Sequence, residues 1–191
     1  MDTSDMHSVI KWATKEIAQA HGKSATFMAK YDHRHAGSSS HVHQSLWAGG
    51  KNVFFDPDVE HGMSKIMRQF LAGQLAHIRE MTYFLAPYIN SYKRFVAGTF
   101  APTKAIWSLD NRTAGYRVVG DGTRNVRVEC RVGGSDLNPY LAIAAQLAAG
   151  IAGIEGKLEL EDEFKGDAYQ ASKAREIPNS LAAATQSLKE S

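Results

Sequence analysis

Cysteine is nearly absent from this sequence, whose 191 residues include one, Cys130. A disulfide framework or a four-cysteine zinc site within the chain is therefore excluded, and a reducing cytoplasm is the expected compartment. Long apolar runs are also lacking. None approaches the roughly 18 residues of a membrane span, and the N-terminal residues have neither the basic nor the apolar region of a secretory signal. The net charge of +2 argues against a general binder of nucleic acids. We expect a soluble protein that binds neither membranes nor nucleic acid.

Hydrophobic periodicity predicts an α+β fold with antiparallel hairpins rather than a βαβ series. We predict helices over residues 6–21, 62–83, 139–153 and 170–188. We predict strands over residues 25–31, 41–47, 52–55, 113–119 and 126–132, the second and third joined as a hairpin through Gly49 and Gly50. The first and last helices keep apolar positions without an obvious partner. We therefore expect part of one larger domain, incomplete at both ends.

Positive charge is concentrated between residues 94 and 131, where seven residues are basic and three are acidic. Six of the seven are arginines, the residue suited to forked contacts with carboxylate and phosphate. The basic residues are Arg94, Lys104, Arg112, Arg117, Arg124, Arg127 and Arg131. This density favours an anion-binding surface, and an ordinary solvated basic face is the alternative.

Two histidines lie in the predicted strand 41–47. Alternate residues of a strand share a face, so His41, His43 and Ser45 point one way and Gln44 the other. Two imidazoles on one face can bind one metal ion, or a metal and its anionic ligand. The glycine-serine loop that begins at Gly37 offers free backbone N–H groups to an anion. Taken alone, this pair is weak evidence for a metal site and is more typical of structural or solvent-facing histidines.

The predicted strand 126–132 alternates between apolar and charged residues. Its valines and cysteine form a core face, while Arg127, Glu129 and Arg131 form the other. One interpretation is a surface strand with a cross-strand ion pair. The other is a carboxylate that binds a hard cation such as Mg²⁺, flanked by guanidinium groups that hold phosphate or carboxylate.

Six motifs in order resemble the catalytic domain of glutamine synthetase and of its relatives that join other amines to the γ-carboxylate of glutamate. Together they cover nearly the whole chain, and an ordered set is far more specific than any one motif. They are GKSATFMAK at 22–30, GSSSHVHQSLW at 37–47, NSYKRFVAGTFAP at 90–102, DNRTAGYRV at 110–118, RVECR at 127–131 and NPYLAIAAQLAAG at 138–150. The resemblance implies antiparallel strands that form an active-site half-barrel with packed helices.

The resemblance also implies roles for individual residues. The family forms γ-glutamyl phosphate from ATP and glutamate, with Mg²⁺ or Mn²⁺, before an amine displaces the phosphate. By resemblance, His41 and Glu129 bind the metal, and Arg112 and Glu129 are catalytic. The implied ATP contacts are His43, Gln44, Ser45, Arg112, Arg117, Arg124 and Arg127. The implied glutamate contacts are Gly37, Arg94, Arg112 and Arg131.

The sequence departs from the family pattern in several places. Most of the family's metal-binding glutamates, and its N-terminal β-grasp domain, have no counterpart in residues 1–191. We therefore expect this chain alone to be inactive and the full-length protein to form a ring-type homo-oligomer. Where glutamine-forming enzymes carry a glutamate near Ala101-Pro102, this chain has Phe100. This favours a larger primary amine or polyamine over ammonia as the acceptor.

Two other functions compete with this one. A synthetase-like protein that has lost activity and serves assembly, or a relic fragment, is consistent with the missing segments. A metal-dependent hydrolase that uses His41 and His43 would need further histidines and an aspartate at strand ends, whereas His61 and His77 fall in a turn and a helix.

Overall fold

The computed structural model describes residues 2–191, which form six helices and six strands. The helices are α1 (Asp2–Ala20), α2 (Lys65–Ala76), α3 (Ile78–Leu85), α4 (Ile89–Tyr92), α5 (Pro139–Glu155) and α6 (Leu181–Lys189). The strands are β1 (Val42–Gln44), β2 (Trp47–Ala48), β3 (Lys51–Asn52), β4 (Trp107–Leu109), β5 (Tyr116–Val119) and β6 (Arg127–Cys130). Short 3₁₀ turns span Glu60–Gly62 and Ala168–Gln170. Among these residues, no helix is both long and apolar enough to cross a bilayer.

A mixed sheet places charged residues of three strands side by side. Its strand order in the described residues is β1-β6-β5-β4, with β1, β6 and β5 antiparallel and β4 parallel to β5. In this register Glu129 of β6 pairs with His43 of β1 on one side and with Arg117 of β5 on the other. Directly paired residues have neighbouring side chains on one face. The register thus assembles a charged rung across the sheet.

The opposite face of the sheet packs on the helices. Val126, Val128, Cys130 and Val132 are each at most 1% exposed, which confirms the predicted core face of this strand. The largest helix contact is between α2 and α5. Their backbones meet at glycines, since a methyl carbon on Gly73 would lie 2.7 Å from the backbone of Gly153. These small residues at the crossing let α2 and α5 pack closely against each other beneath the sheet.

The predicted helices differ from the structure at their ends. The helix predicted at 62–83 begins after Ser64, whose hydroxyl accepts a hydrogen bond from the Met67 N–H, and is interrupted at His77. The last helix begins at Leu181, capped by Ser180, instead of at 170. The reason is that residues 168–179 make long-range contacts instead: the N–H of Ile177 donates to the carbonyl of Thr103. The predicted helices 6–21 and 139–153 are confirmed and are each slightly longer.

Three strand predictions need correction. Residues 25–31 are not a strand, because the Asn90 side chain, and not a neighbouring strand, bonds both the N–H and the carbonyl of Lys30. Residues 41–47 pair with 52–55 only next to the glycine turn, where Trp47 pairs with Asn52 and the N–H of Val53 donates to the carbonyl of Leu46. The earlier part of the predicted strand, β1, pairs with β6, so the hairpin of β2 with β3 has only two residues a side. The parallel pair of β4 with β5 was not predicted.

We expect Gly73→Ala to destabilise the fold, because the added methyl carbon would lie 2.2 Å from the carbonyl oxygen of Ala149. Backbone atoms of a packed helix pair yield little, so the clash outweighs the roughly 1 kcal/mol that alanine adds to helix stability. We predict a net loss of about 2 kcal/mol in the free energy of unfolding. As a control, Ala148→Ser adds one heavy atom on the exposed face of α5 and should change it by less than about 0.5 kcal/mol. Denaturant unfolding of the full-length protein measures the free energy of unfolding of both variants. If Gly73→Ala were as stable as the wild type, the close approach of α2 and α5 at Gly73 would be contradicted.

Candidate active site

The carboxylate of Glu129 is the centre of the charged face. Glu129 is 2% exposed, and an isolated buried carboxylate would be strongly disfavoured. Arg131 Nη1 donates to its Oε1 at 2.7 Å, and Arg117 Nη1 donates to its Oε2 at 3.0 Å. His41 Nδ1 lies 2.8 Å from Oε1. Every oxygen of the carboxylate therefore has a donor, and two guanidinium charges compensate its burial.

These contacts determine which form of each group is present. Burial opposes ionisation of Glu129, but the guanidinium charges of Arg131 and Arg117 outweigh it, the neighbouring His41 imidazole acts in the same direction, and the pKa of the carboxyl is lowered. Burial, then the charge of Arg131, lowers the pKa of His41 to about 4. Near neutral pH the site thus holds an ionised Glu129 and a neutral His41, in which the close Nδ1 is assigned as the donor to Oε1.

His43 lies beside this pair on the same face of β1. Its Nε2 is 3.9 Å from Glu129 Oε1, and its Nδ1 accepts a hydrogen bond from Arg127 Nε at 3.2 Å. Burial is the largest cause of its lowered pKa, and Arg127, Arg117 and Arg131 add to it against the effect of Glu129. Alternation in the sequence predicts that His41 shares a face with His43, and Glu129 with Arg127 and Arg131. The pairing of β1 with β6 brings these two sets together.

Arg117 is committed to two carboxylates. Besides Glu129, it donates from Nε to Asp110 Oδ1 at 2.9 Å, and a second donation from Nη2 makes the contact forked. This bond with Arg117 lowers the pKa of Asp110. Sequence reasoning gave Asp110 no role, because a partner seven positions away across a loop leaves no periodic signal. Arg117 is thus a framework cation in this state.

Arg112, Arg124 and Arg127 have no carboxylate partner among residues 2–191, in contrast to Arg117. Arg112 and Arg124 are exposed. The carbonyl of Arg112 accepts a hydrogen bond from Arg131 Nε at 3.1 Å, so its loop lies against the charged face. Arg127 contacts His43 and the carbonyl of Asn125. These guanidinium groups remain available to an external anion.

Arg94 and Gly37 form a second, buried part of the region. Arg94 is 4% exposed, and its Nη2 donates to the carbonyls of Val132 and Gly133. Burial lowers its pKa to about 10, so it is still a cation at neutral pH. Its Nε is buried with no partner among residues 2–191. A side chain at Gly37 would lie 2.8 Å from Arg94 Cγ and 2.5 Å from the carbonyl oxygen of Ala29, so only glycine lets this loop pass over Arg94.

Three other predicted contacts make no hydrogen bond to Glu129. Gln44 points to the opposite face of β1, where Gln74 Nε2 donates to its Oε1 at 2.5 Å, so its side chain is not brought to the charged face. The hydroxyl of Ser45 accepts from the indole N–H of Trp47 at 2.9 Å. Arg124 lines a separate cavity of about 330 Å³ with Trp47.

Comparison with known proteins identifies the fold and the family. The model described as the glutamine synthetase catalytic domain matches residues 1–191. The chain belongs to the glutamine synthetase family. The gamma-glutamylethanolamide synthetase of Streptomyces coelicolor is 51% identical to it over 180 residues, which are 94% of this chain and 38% of the relative.

Two further relatives agree with this assignment. The glutamate–isopropylamine ligase of a Pseudomonas species is 43% identical over 185 residues, which are 95% of this chain and 40% of the relative. A solved structure described as a GmaS/ADP complex has a TM-score of 0.91 at 34% identity, over 99% of this chain and 45% of that one. The chain thus spans less than half the length of each glutamine synthetase relative named here. The α+β fold predicted from the motifs is confirmed as that of the glutamine synthetase catalytic domain.

The glutamine synthetase family implies a divalent metal ion, and two side chains here fit part of its coordination. Glu129 supplies a carboxylate and His41 a neutral imidazole, both suitable donors. Residues 2–191 contain no group of three or more histidine, cysteine, aspartate and glutamate side chains arranged to hold a metal ion. They offer two donors, not a full set. The same observation leaves the hydrolase alternative without its histidine cluster: His77 pairs with Glu80 on α3.

In the full-length protein we expect Glu129→Gln to lower the kcat/KM of the ligase reaction on the order of 100-fold, because it removes a charged donor while keeping the side-chain shape. Arg124→Ala should cost about fivefold or less, since this exposed group has water as an alternative partner. Phosphate release, followed over substrate concentrations that extend well below KM, measures both values of kcat/KM. Similar losses in the two variants would contradict the central position of Glu129.

Proposed function

We propose that the protein containing this chain is an ATP-dependent ligase that joins a primary amine larger than ammonia to the γ-carboxylate of L-glutamate. In the first step a γ-carboxylate oxygen attacks the γ-phosphorus of ATP, and ADP leaves. In the second the amine nitrogen attacks the acyl carbon, phosphate leaves and the nitrogen loses a proton. Membership of the glutamine synthetase family supports the reaction class.

The charge distribution supports the first step. Two anions, the carboxylate and the γ-phosphate, must be brought together, so cations have to offset their repulsion. Arg112 and Arg127 are not paired with carboxylates in residues 2–191 and lie around the same face as Glu129. We assign them to the phosphates together with Arg117, which would exchange Asp110 for a phosphate oxygen. His43, Ser45 and Arg124 are proposed nucleotide contacts.

The glutamate side of the site is assigned to Gly37, Arg94, Arg112 and Arg131. Arg131 is 4% exposed and joins Glu129 to the loop of Arg112. The Mg²⁺ or Mn²⁺ ion would bind to His41 and Glu129 with further donors, and when bound it would neutralise phosphate charge. The proposal includes a ring-type homo-oligomer as the assembly in which such sites are completed.

The proposed preference for a larger amine rests on the exposed side chain of Phe100. It is 60% exposed, and its carbonyl oxygen lies 3.5 Å from Arg131 Nη2, so its loop borders the proposed glutamate site. Ammonium must be concentrated and deprotonated, which calls for a carboxylate. An exposed phenyl ring cannot accept a proton, but it can pack on a methylene chain or attract a cation. The relatives named for ethanolamide and isopropylamine products are consistent with such a site.

We predict that a panel of amines assayed with ATP and glutamate gives the full-length protein a higher kcat/KM for an alkyl amine, amino alcohol or polyamine than for ammonia. Phe100→Glu should raise the rate with ammonia and lower it with the larger amine, because it replaces apolar surface with a proton acceptor. Tyr88→Glu is the control, since Tyr88 is 59% exposed on another surface, and should change neither. Ammonia as the best substrate, or an unchanged ammonia rate in Phe100→Glu, would contradict the proposal.

A further inference from the structure

Two loops border the proposed site, the loop of Arg112 and the loop of Phe100, and a later segment of the chain lies against both. Residues 163–170 follow the outer edge of β4, where the N–H of Phe164 donates to the carbonyl of Trp107 at 3.1 Å and Glu163 Oε1 accepts from the Leu109 N–H at 3.1 Å. β4 is the last strand of the sheet in the described residues. The segment is therefore bonded to the edge of the sheet before it reaches the loops of Arg112 and Phe100.

The segment holds the loop of Arg112 through two side-chain bonds. Asn111 Nδ2 donates to the carbonyl of Gly166 at 2.8 Å, and the Ala168 N–H donates to the hydroxyl of Thr113 at 3.0 Å. Ala168 itself is 1% exposed and packs in a small apolar cluster with Ile106 and Ala114. The turn at Ala168–Gln170 is thus fixed relative to the loop on both sides of Arg112.

Tyr169 extends from this turn to the loop of Phe100. Its hydroxyl donates to the carbonyl of Ala101 at 3.0 Å, across 68 residues of sequence. Ala101 is 2% exposed, so its carbonyl has little access to water as a replacement partner. Burial is the largest cause of a raised pKa of Tyr169, so the hydroxyl keeps its proton and remains a donor at neutral pH.

The loop that Tyr169 holds is conformationally demanding. Phe100 has a φ of 56° and Gly98 a φ of 79°. A bulky residue in the left-handed region is disfavoured and persists where the surroundings enforce it. The Tyr169 bond follows directly after Phe100, and the Arg131 contact is to Phe100 itself. Both act on the backbone that sets the direction of the exposed phenyl ring.

We propose that Tyr169 is a positioning residue for amine selection: its hydroxyl holds the 96–101 loop in register with Arg131 and so sets the place of the Phe100 ring at the amine side of the site. This inference rests on the proposed function. The hydroxyl touches no reacting atom, and its effect is transmitted through the backbone of Ala101 and Phe100.

The test is Tyr169→Phe in the full-length protein, which removes one oxygen and keeps the ring. We expect the KM for the best amine to rise about fivefold, as for the loss of one neutral hydrogen bond to a buried carbonyl. The preference for that amine over ammonia should fall, while the KM for ATP stays within error and the Tm falls by at most a few degrees. Tyr140→Phe is the matched control, because it removes a tyrosine hydroxyl bonded to Asp5 on the exposed surface between α1 and α5, and should change none of these.

The outcomes separate this inference from the proposed function. If ammonia is the best acceptor of the wild type, the proposed amine preference is wrong, yet Tyr169→Phe should still raise the KM for ammonia selectively. An unchanged acceptor KM in Tyr169→Phe would overturn the inference. A parallel rise in the KM for ATP, glutamate and amine with a lowered Tm would also overturn it, since that pattern indicates a general structural role.

Discussion

The burial of one carboxylate, Glu129, is the constraint on which the rest of this structure depends. A carboxylate that is 2% exposed must be matched by donors and by positive charge. Arg131 supplies both from the position after β6, Arg117 supplies both from β5, and His41 supplies a hydrogen bond from the position before β1. A one-residue slip of β5 or β1 against β6 would turn these partners to the opposite face. The charged face and the strand register therefore require each other.

This constraint also divides the arginines into two groups. Arg117 and Arg131 are held by carboxylates and form the framework, while burial, and then the charge of Arg131, lowers the pKa of His41 and keeps it neutral. Arg112 and Arg127 lie around that framework without carboxylate partners among residues 2–191. A rigid, nearly neutral centre surrounded by available guanidinium groups suits a site that must admit two anions and still hold its shape.

Local pattern was sufficient to predict the charged face. Strict alternation over residues 126–132 predicts which side chains are buried in the core and which join Glu129, and both halves are confirmed. The pairing of β1 with β6 was not predictable in the same way, because 86 positions separate His43 and Glu129 and a nearby glycine turn favoured a local hairpin. The turn exists, but it joins β2 and β3, each two residues long.

Contacts made by loops were the least predictable. The Asn90 side chain replaces strand pairing at Lys30, and the segment before α6 is irregular instead of helical because it bonds to distant loops. Neither leaves a periodic signal in the sequence. The roles assigned to Asp110 and Tyr169 depend on such contacts, so only the structure suggests them. The order of the motifs, by contrast, was enough to predict the family that the comparisons confirm.

The central claim of the proposed function is that the glutamate γ-carboxylate is activated as an acyl phosphate before the amine attacks. It is tested most directly by following the oxygen atoms of L-glutamate labelled with ¹⁸O at both γ-carboxylate positions. With ATP and the preferred amine, the full-length protein should release inorganic phosphate that carries one ¹⁸O atom and an amide product that retains the other. Unlabelled phosphate, with the departing ¹⁸O atom found in water instead, would contradict the account.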